Sequence, residues 1–150
     1  MKLTICGSIA FYDKMQDILK KLEELGHEVD LPPFEIKNKE GVMISVQEYY
    51  EIRKAEKGDD SWIWERKAEA IMMHFKKIEW SDAIIVLNYE KNGVKDYVGA
   101  NTLIEMGLAF YLGKPIYLLN GIPDIGSREE ILGMRPVLID GDFRKIAVLT

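Results

Sequence analysis

One carboxylate lies among apolar residues near the middle of the chain. Glu105 belongs to an apolar run over residues 103–110, which follows Gly99, Ala100 and Asn101. A helix formed by this run is predicted to be buried on most of its circumference. A carboxylate there could complement the positive N-terminus of the helix, or it could act as a nucleophile or general base facing a ligand. This segment alone leaves both interpretations open, and Glu105 is the first candidate for a catalytic residue.

Two other side chains are candidates for acid–base chemistry beside Glu105. His74 lies three residues after Ile71 and four before Ile78 in a predicted helix. It is either a half-buried histidine with a satisfied hydrogen bond or a catalytic group. Asp96 lies in the loop before the Glu105 helix, where it is either a second catalytic carboxylate or a solvated loop acid.

The spacing of metal-ligand residues gives no sign of a metal site. The two histidines, His27 and His74, have no partner at the spacing of motifs such as HExxH or CxxC. The single cysteine, Cys6, lies in an apolar run without a basic neighbour in sequence, so a buried structural thiol is predicted. The GxGxxG and GxxxxGK[ST] motifs of dinucleotide sites and P-loops are absent. We therefore predict no metal and no cofactor.

Strands that alternate with helices must position these residues. Short apolar segments predict strands at about residues 2–6, 28–31, 83–87, 115–119 and 135–139. Helices are predicted at about residues 15–25, 61–79, 99–113 and 142–148. The pattern indicates an α/β fold, with a doubly wound, flavodoxin- or Rossmann-like sheet of five mainly parallel strands and helices on both faces. Residues 34–60 are highly charged, and we predict a mobile lid there with a short helix at about 45–57.

The binding site of such a fold lies outside the carboxyl ends of the strands, where the strand order reverses. Polar residues after the predicted strands and the start of the Glu105 helix meet at this edge. The predicted substrate-binding residues are Gly7, Ser8, Phe11, Asn88, Gly99, Asn101 and Asn120. Aromatic residues are frequent near this edge and in the lid. One or two of them could stack on a planar base, and packing of the lid on the sheet would explain them as well.

Length and charge limit the class of protein. The chain has 150 residues, which fits a single domain over residues 1–150. Its net charge of −5 and pI near 5.1 provide no broad basic surface. Nucleic-acid polymers and anionic membranes are therefore disfavoured as partners, whereas one nucleotide in a local pocket is not. Because no apolar stretch approaches the ~20 residues of a membrane span and no signal-peptide pattern precedes the first strand, we predict a cytoplasmic protein.

Five segments carry a resemblance to a known family. They are ICGS at residues 5–8, GHEV at 26–29, SDAIIVLN at 81–88, NTLIEMGLA at 101–109 and GKPI at 113–116. Together they resemble the nucleoside 2-deoxyribosyltransferase-like family, which includes deoxynucleoside 5′-monophosphate N-glycosidases, over nearly the whole chain. The resemblance implies that Glu105 attacks the anomeric carbon of the sugar and that water or a second base resolves the glycosyl-enzyme intermediate. It also implies a nucleoside or nucleotide substrate and assembly as a homodimer or higher homo-oligomer.

The chain departs from the family pattern at two places. His74 stands eight residues before Asp82, where family members commonly carry an aspartate. A histidine can still donate a proton to a leaving base, since its unperturbed pKa is near 6.5. Ile9 and Ala10 follow the first turn, where nucleotide-cleaving members often carry an arginine. A bound phosphate would then rely on backbone N–H groups of that turn and of the start of the Glu105 helix.

Two other functions stay open. Residues 99–105 also resemble the GGxGTxxE box of the phosphoribohydrolases once called lysine-decarboxylase-like, which act on ribonucleoside monophosphates. The glycine-rich first turn of that group is missing here. A hypothesis of another class is a non-catalytic nucleotide-binding or sensor domain, in which Glu105 only hydrogen-bonds a sugar hydroxyl. The replacement of the family aspartate by His74 favours this last hypothesis.

Overall fold

The computed structural model describes residues 1–56, 58 and 61–146, and strands and helices alternate along them. The strands are β1 (Lys2–Gly7), β2 (Glu28–Asp30), β3 (Glu35–Lys37), β4 (Met43–Ser45), β5 (Ala83–Leu87), β6 (Ile116–Leu118) and β7 (Val137–Leu138). The α-helices are α1 (Tyr12–Glu24), α2 (Val46–Ala55), α3 (Ser61–Trp80), α4 (Ala100–Tyr111) and α5 (Arg128–Gly133). Single 3₁₀ turns lie at Ile9–Phe11 and Phe143–Lys145. Within the described residues, none of the helices combines the length and apolar character needed to cross a bilayer.

Five parallel strands form the central sheet of the described chain, in the order β2-β1-β5-β6-β7. β1 pairs with β5 from Leu3 opposite Ala83 to Gly7 opposite Leu87. When β3 and β4 are left aside, this is the flavodoxin-like order 2-1-3-4-5, which reverses between β1 and β5. The predicted doubly wound α/β fold is confirmed. The reversal opens a crevice beyond Gly7 and Leu87, at the carboxyl ends of the two strands.

Alternate residues of β1 face opposite layers of helices, as the two-residue period of a strand requires. Leu3 and Ile5 are buried in the apolar cluster that contains Met15 of α1. Cys6 is buried in the other cluster, which contains Met106 of α4 together with residues of α3 and α5. Helices therefore cover both faces of the sheet. The alternation turns the Cys6 thiol toward α3 and α4 and away from α1.

β1 ends in a turn that requires glycine. Gly7 has a φ of +153°, and a Cβ atom there would lie 3.0 Å from the carbonyl oxygen of Leu87 and 3.2 Å from the end of the Met15 side chain. A larger residue would therefore collide with β5 and α1. The hydroxyl of Ser8 then accepts a hydrogen bond from the backbone N–H of Ala10 (3.3 Å), which caps the 3₁₀ turn. This geometry fixes the first turn of the crevice.

A hairpin and a helix occupy the segment predicted as a mobile lid. β3 and β4 pair in antiparallel fashion, with Ile36 opposite Ile44. The sequence predicts a mobile lid without strands there, because strands of three residues are too short to show a clear alternation. The predicted helix at about 45–57 is confirmed up to Ala55, whereas Lys57 lies outside the described residues. Movement of this segment stays a prediction.

The C-terminal part differs from the prediction in two places. α5 is absent from the prediction, because six residues are too few for helical spacing to be recognised. The predicted helix at about 142–148 is wrong for its first residues, which form one 3₁₀ turn at Phe143–Lys145. Ile146 then adopts an extended backbone (ψ 111°) and buries its side chain in the α1 cluster, which draws the chain out of a helical path. Ala147 and Val148 lie outside the described residues.

Candidate active site

A cavity of about 760 Å³ opens at the carboxyl end of β1 and the start of α4. The turn after β1 and the first turn of α4 form its inner wall, and the β3–β4 hairpin, α2 and α3 enclose the rest. Aromatic and cationic side chains line the enclosing part, among them Tyr49, Tyr50, Arg53, Trp64 and Lys67. The volume lies within the roughly 300–1,000 Å³ typical of small-molecule sites. The cavity lies at the edge of the sheet that the sequence predicts.

Glu105 lies on the inner wall of this cavity. α4 begins at Ala100, so Glu105 falls in its second turn, and the residue is 5 % exposed. The amide of Asn101, one turn earlier on the same face, donates a hydrogen bond to Oε1 of Glu105 (3.3 Å). Oε2 has no well-formed hydrogen bond from the described residues. Asn101 therefore orients one carboxylate oxygen, and the other is buried on the side of His74.

His74 and Cys6 meet Glu105 at this wall. Nε2 of His74 lies 3.6 Å from Oε2 of Glu105 and 3.4 Å from Sγ of Cys6. His74 precedes Ile78 by one helical turn, so both side chains of α3 face the sheet. At 3 % exposure His74 is fully buried, so the first of its two interpretations from the sequence, a half-buried histidine, is wrong in its burial. Three side chains from β1, α3 and α4 thus form one buried group, whose donor atoms are of the kinds that bind metal ions.

Burial shifts the pKa values of this group toward neutral forms. Burial raises the pKa of Glu105 to about 7, against smaller lowering effects of Cys6 and the Lys67 ammonium. Burial, aided by the charge of Lys77, lowers the pKa of His74 to about 4. Burial and the Glu105 carboxylate raise the pKa of the Cys6 thiol. At neutral pH the imidazole is therefore uncharged, which disfavours the predicted role of His74 as a charged proton donor.

Lys67 brings a positive charge to the same wall. Its Nζ donates a hydrogen bond to Oδ1 of Asn101 (3.2 Å), so the Asn101 amide connects the Lys67 ammonium with the Glu105 carboxylate. Lys67 is partly buried, and this burial lowers the pKa of its ammonium. Lys67 is not among the predicted site residues, because nothing in the local sequence pattern distinguishes it from the other charged residues of α3.

Four predicted substrate-binding residues line the cavity, namely Gly7, Ser8, Gly99 and Asn101. The structure adds a cation beside them, because Nζ of Lys91 donates a hydrogen bond to the Ser8 hydroxyl (2.9 Å). Lys91 also lines the cavity. It lies in the loop between β5 and α4, 83 positions from Ser8. A lysine from a distant loop thus stands at the turn where the sequence lacks an arginine.

Three other predicted substrate-binding residues lie outside the lining of this cavity. Asn88 and Asn120 join the ends of β5 and β6. The backbone N–H of Asn120 donates to Oδ1 of Asn88 (2.9 Å), and Nδ2 of Asn88 donates to the carbonyl of Gly121 (2.8 Å). Phe11 packs in the α1 cluster, edge-on to Tyr89 with ring centroids 5.3 Å apart. These side chains brace the edge of the sheet.

Asp96 is not brought together with Glu105. It adopts a left-handed backbone conformation (φ 56°) and lines a separate depression with Gly93 and Ile122. Its carboxylate approaches Gly121 so closely that a Cβ atom on that glycine would lie 2.9 Å from Oδ2. The sequence places Asp96 at the correct edge of the sheet, but the turn of the loop directs its side chain elsewhere.

Comparisons with solved structures give distant likenesses, among them the two described below. No family model and no curated protein matches the chain. A 2-deoxyribosyltransferase from Bacillus psychrosaccharolyticus is 19 % identical, with a TM-score of 0.46, over 79 % of this chain and 71 % of the other. The flavoenzyme NAD(P)H:(acceptor) oxidoreductase FerB from Paracoccus denitrificans is 16 % identical, with a TM-score of 0.45, over 91 % of this chain and 74 % of the other. Neither likeness assigns an activity to this chain.

Proposed function

We propose that this protein cleaves or transfers the N-glycosidic bond of a (deoxy)nucleoside or nucleoside monophosphate, with Glu105 as the nucleophile. The observation that carries the proposal is the Glu105 carboxylate itself. It lies on the wall of a cavity of about 760 Å³, and the Asn101 amide orients it through a hydrogen bond to Oε1. A carboxylate nucleophile needs a fixed orientation and an oxygen that can reach the anomeric carbon. The family resemblance of the sequence leads to the same residue.

The proposed reaction has two displacements at the anomeric carbon. An oxygen of ionised Glu105 bonds to this carbon while the bond from the carbon to the base nitrogen breaks. The electron pair leaves with the base, which takes up a proton. Water or a second base then attacks the same carbon and releases the Glu105 carboxylate, and the proton that the attacking group loses returns to the group that protonated the first base. The carboxylate also stabilises the positive charge of the oxocarbenium-like transition states.

We propose that Lys67 donates the proton that the leaving base takes up. His74 is uncharged at neutral pH because burial lowers its pKa to about 4. Lys67 is cationic, lines the cavity and has a pKa that burial lowers from that of a free lysine. A lysine with a lowered pKa gives up its proton more readily at neutral pH. In this scheme His74 positions the Glu105 carboxylate.

The cations of the cavity favour an anionic substrate. Four cations line it, namely Lys37, Arg53, Lys67 and Lys91, against the three carboxylates of Glu35, Glu69 and Glu105. Lys91 holds the Ser8 hydroxyl at the turn after β1 (2.9 Å). An ammonium, a hydroxyl and the backbone of a glycine turn together suit a phosphate group. We therefore propose that the 5′-phosphate of a nucleoside monophosphate binds between Ser8 and Lys91.

Release of free base tests the proposal. Purified protein is incubated with deoxynucleosides, ribonucleosides and their monophosphates, with and without an acceptor base, and the products are separated by chromatography. We expect Glu105→Gln to lower base release at least a hundredfold. Glu65→Gln is the matched control, because Glu65 is an exposed carboxylate on α3 outside the cavity lining. This control should keep full activity.

The same assay separates the alternatives. Cleavage of ribonucleoside monophosphates in preference to deoxyribonucleoside monophosphates would favour a phosphoribohydrolase. Binding of a nucleotide without release or exchange of base would favour a sensor domain and would refute the enzymatic proposal. Exchange that depends on the acceptor base would identify a transferase.

We also propose that the chain forms a homodimer or higher homo-oligomer. The family resemblance suggests this assembly. Large apolar side chains are exposed on α3 and α4, among them Met72 (55 %), Phe110 (55 %) and Tyr111 (85 %). Coverage by a second copy would remove this surface from water. Light scattering that gives the mass of one chain would contradict the proposal.

A further inference from the structure

We propose that Cys6, His74 and Glu105 bind a divalent cation of the zinc class, with one coordination position facing the cavity. The three donor atoms are Sγ of Cys6, Nε2 of His74 and a carboxylate oxygen of Glu105, and all lie within 4.8 Å of one another. They come from β1, α3 and α4, so no local spacing in the sequence connects them. The spacing of the sequence predicts no metal site, and the proposed site differs from that prediction.

The distances between the donor atoms match those of a tetrahedral ion. Zinc binds sulfur at about 2.3 Å and nitrogen or oxygen at about 2.0–2.2 Å, which separates tetrahedral donors by about 3.3–3.7 Å. Here Sγ of Cys6 lies 3.4 Å from Nε2 of His74, and this nitrogen lies 3.6 Å from Oε2 of Glu105. Two of the three donor pairs therefore have tetrahedral spacing, and the third pair, Sγ and the carboxylate oxygen, lies within 4.8 Å.

The carboxylate oxygen supplies an independent sign of a missing partner. Oε2 of Glu105 is buried and has no hydrogen bond of good geometry from the described residues, although the Cys6 thiol lies close enough to lower the pKa of this carboxyl. Buried polar atoms without partners are uncommon and destabilising. A cation bound to Oε2 would satisfy this oxygen, which points at the other two donors.

The chemistry of the donors selects the ion. Thiolate and imidazole favour zinc and its neighbours among the transition metals, whereas magnesium and calcium prefer oxygen donors. Bound as thiolate and carboxylate, Cys6 and Glu105 would carry two negative charges, which a divalent ion neutralises. Because Glu105 and His74 line the cavity, the fourth position of the ion would lie on the cavity side of the group, where water or a small molecule could occupy it. Open sites of this type are typical of catalytic or exchangeable zinc.

Metal binding would also regulate the proposed reaction. This regulation rests on the proposed function, because it requires that Glu105 is the nucleophile. An ion bound to Glu105 would neutralise the carboxylate that attacks the sugar. Base release should therefore fall as the site fills and should return when a chelator removes the ion. The metal site itself does not depend on the glycosidic reaction.

Direct titration tests the site without any substrate. Tag-free protein is stripped of metal with a chelator and titrated with Zn²⁺ against a chromophoric zinc chelator. It is titrated separately with Co²⁺, because a bond between cobalt and thiolate gives a near-ultraviolet absorption band. Cys6 is the single cysteine of the chain, so such a band can arise from this residue alone. We expect one ion per chain and a cobalt–thiolate band.

Variants assign the ligands. Cys6→Ala and His74→Ala should each weaken zinc binding at least tenfold, and Cys6→Ala should abolish the cobalt band. His27→Gln is the control, since His27 is the other histidine and lies beside the N-terminal amine, outside the cavity lining. It should bind zinc like the wild type. Circular dichroism checks that each variant is folded.

Absence of a cobalt–thiolate band in the wild-type protein would overturn the site, and this outcome needs no variant. Unchanged zinc affinity in folded Cys6→Ala would overturn it as well. A metal-binding protein that releases no base under any condition would refute the glycosidic reaction and leave the metal site standing. Base release by a protein without zinc affinity would refute the metal site and leave the glycosidic reaction standing.

Discussion

Nε2 of His74 lies 3.6 Å from Oε2 of Glu105, and the two side chains do not form an ion pair at any common pH. Burial raises the pKa of Glu105 to about 7 and lowers that of His74 to about 4. Between these values both groups are neutral in the metal-free protein. Above the pKa of Glu105, the carboxylate is ionised beside an uncharged imidazole. This order of pKa values distinguishes the pair from a conventional salt bridge.

Glu105→Gln should stabilise the metal-free protein at high pH. The pKa of Glu105 is about 7 in the folded protein against 4.5 for a free carboxyl group, so the folded state holds this proton more tightly. Glu105 therefore costs stability as the pH rises from 4.5 to 7, by roughly 3 kcal/mol at about 1.4 kcal/mol per pKa unit. Urea unfolding with a chelator present should show the variant more stable at pH 8 and unchanged near pH 4.5. Equal effects at both pH values would contradict the raised pKa.

Base release by the metal-free enzyme should increase with pH through the pKa of Glu105. The nucleophile must be ionised, and burial places its pKa at about 7. Below this value kcat/KM should rise about tenfold per pH unit, and above it the rate should level off. The profile is measured from pH 5 to pH 9 with a nucleoside substrate, whose own charge does not change. A rate that falls from pH 5 to pH 7 would refute Glu105 as an ionised nucleophile.

Lys91→Met should remove a preference for monophosphates. Lys91 donates to the Ser8 hydroxyl at the proposed phosphate site (2.9 Å). Because hydrogen bonds to charged groups contribute about 1.5–3 kcal/mol, kcat/KM for a monophosphate should fall about tenfold to a hundredfold. The value for the corresponding nucleoside should change little. Lys95→Met is the control, since Lys95 is exposed in the same loop and does not line the main cavity. An equal loss with both substrates would place the phosphate elsewhere.

Two glycine substitutions should change stability in opposite directions. Gly7→Ala puts a Cβ atom 3.0 Å from the Leu87 carbonyl at a φ of +153°, so we expect a loss of about 1–3 kcal/mol. Gly107→Ala lies within α4, where a Cβ atom would meet nothing within 4 Å. It should stabilise the helix by up to about 1 kcal/mol. Thermal unfolding measures both, and equal effects would contradict the strained turn at Gly7.

The order of the elements follows from local sequence patterns. β5 is a continuous apolar run, and α4 has an apolar circumference interrupted by Glu105. Periods of two and 3.6 residues are local, so they can be recognised without knowing the fold. The short strands of the β3–β4 hairpin and the six residues of α5 contain too few periods, and they were found only in the structure.

The sequence by itself determined that Glu105 is a carboxylate in an apolar helix at the edge of a parallel sheet where the strands have their carboxyl ends. Tertiary structure alone decided what surrounds it. Cys6 and His74 are 68 positions apart, and sheet order and helix packing bring Sγ of Cys6 within 3.4 Å of Nε2 of His74. The tertiary structure also places Lys91 beside Ser8 and directs the Asp96 side chain toward Gly121, away from the cavity. Side-chain neighbours of this kind depend on the packing of distant elements, which no local period encodes.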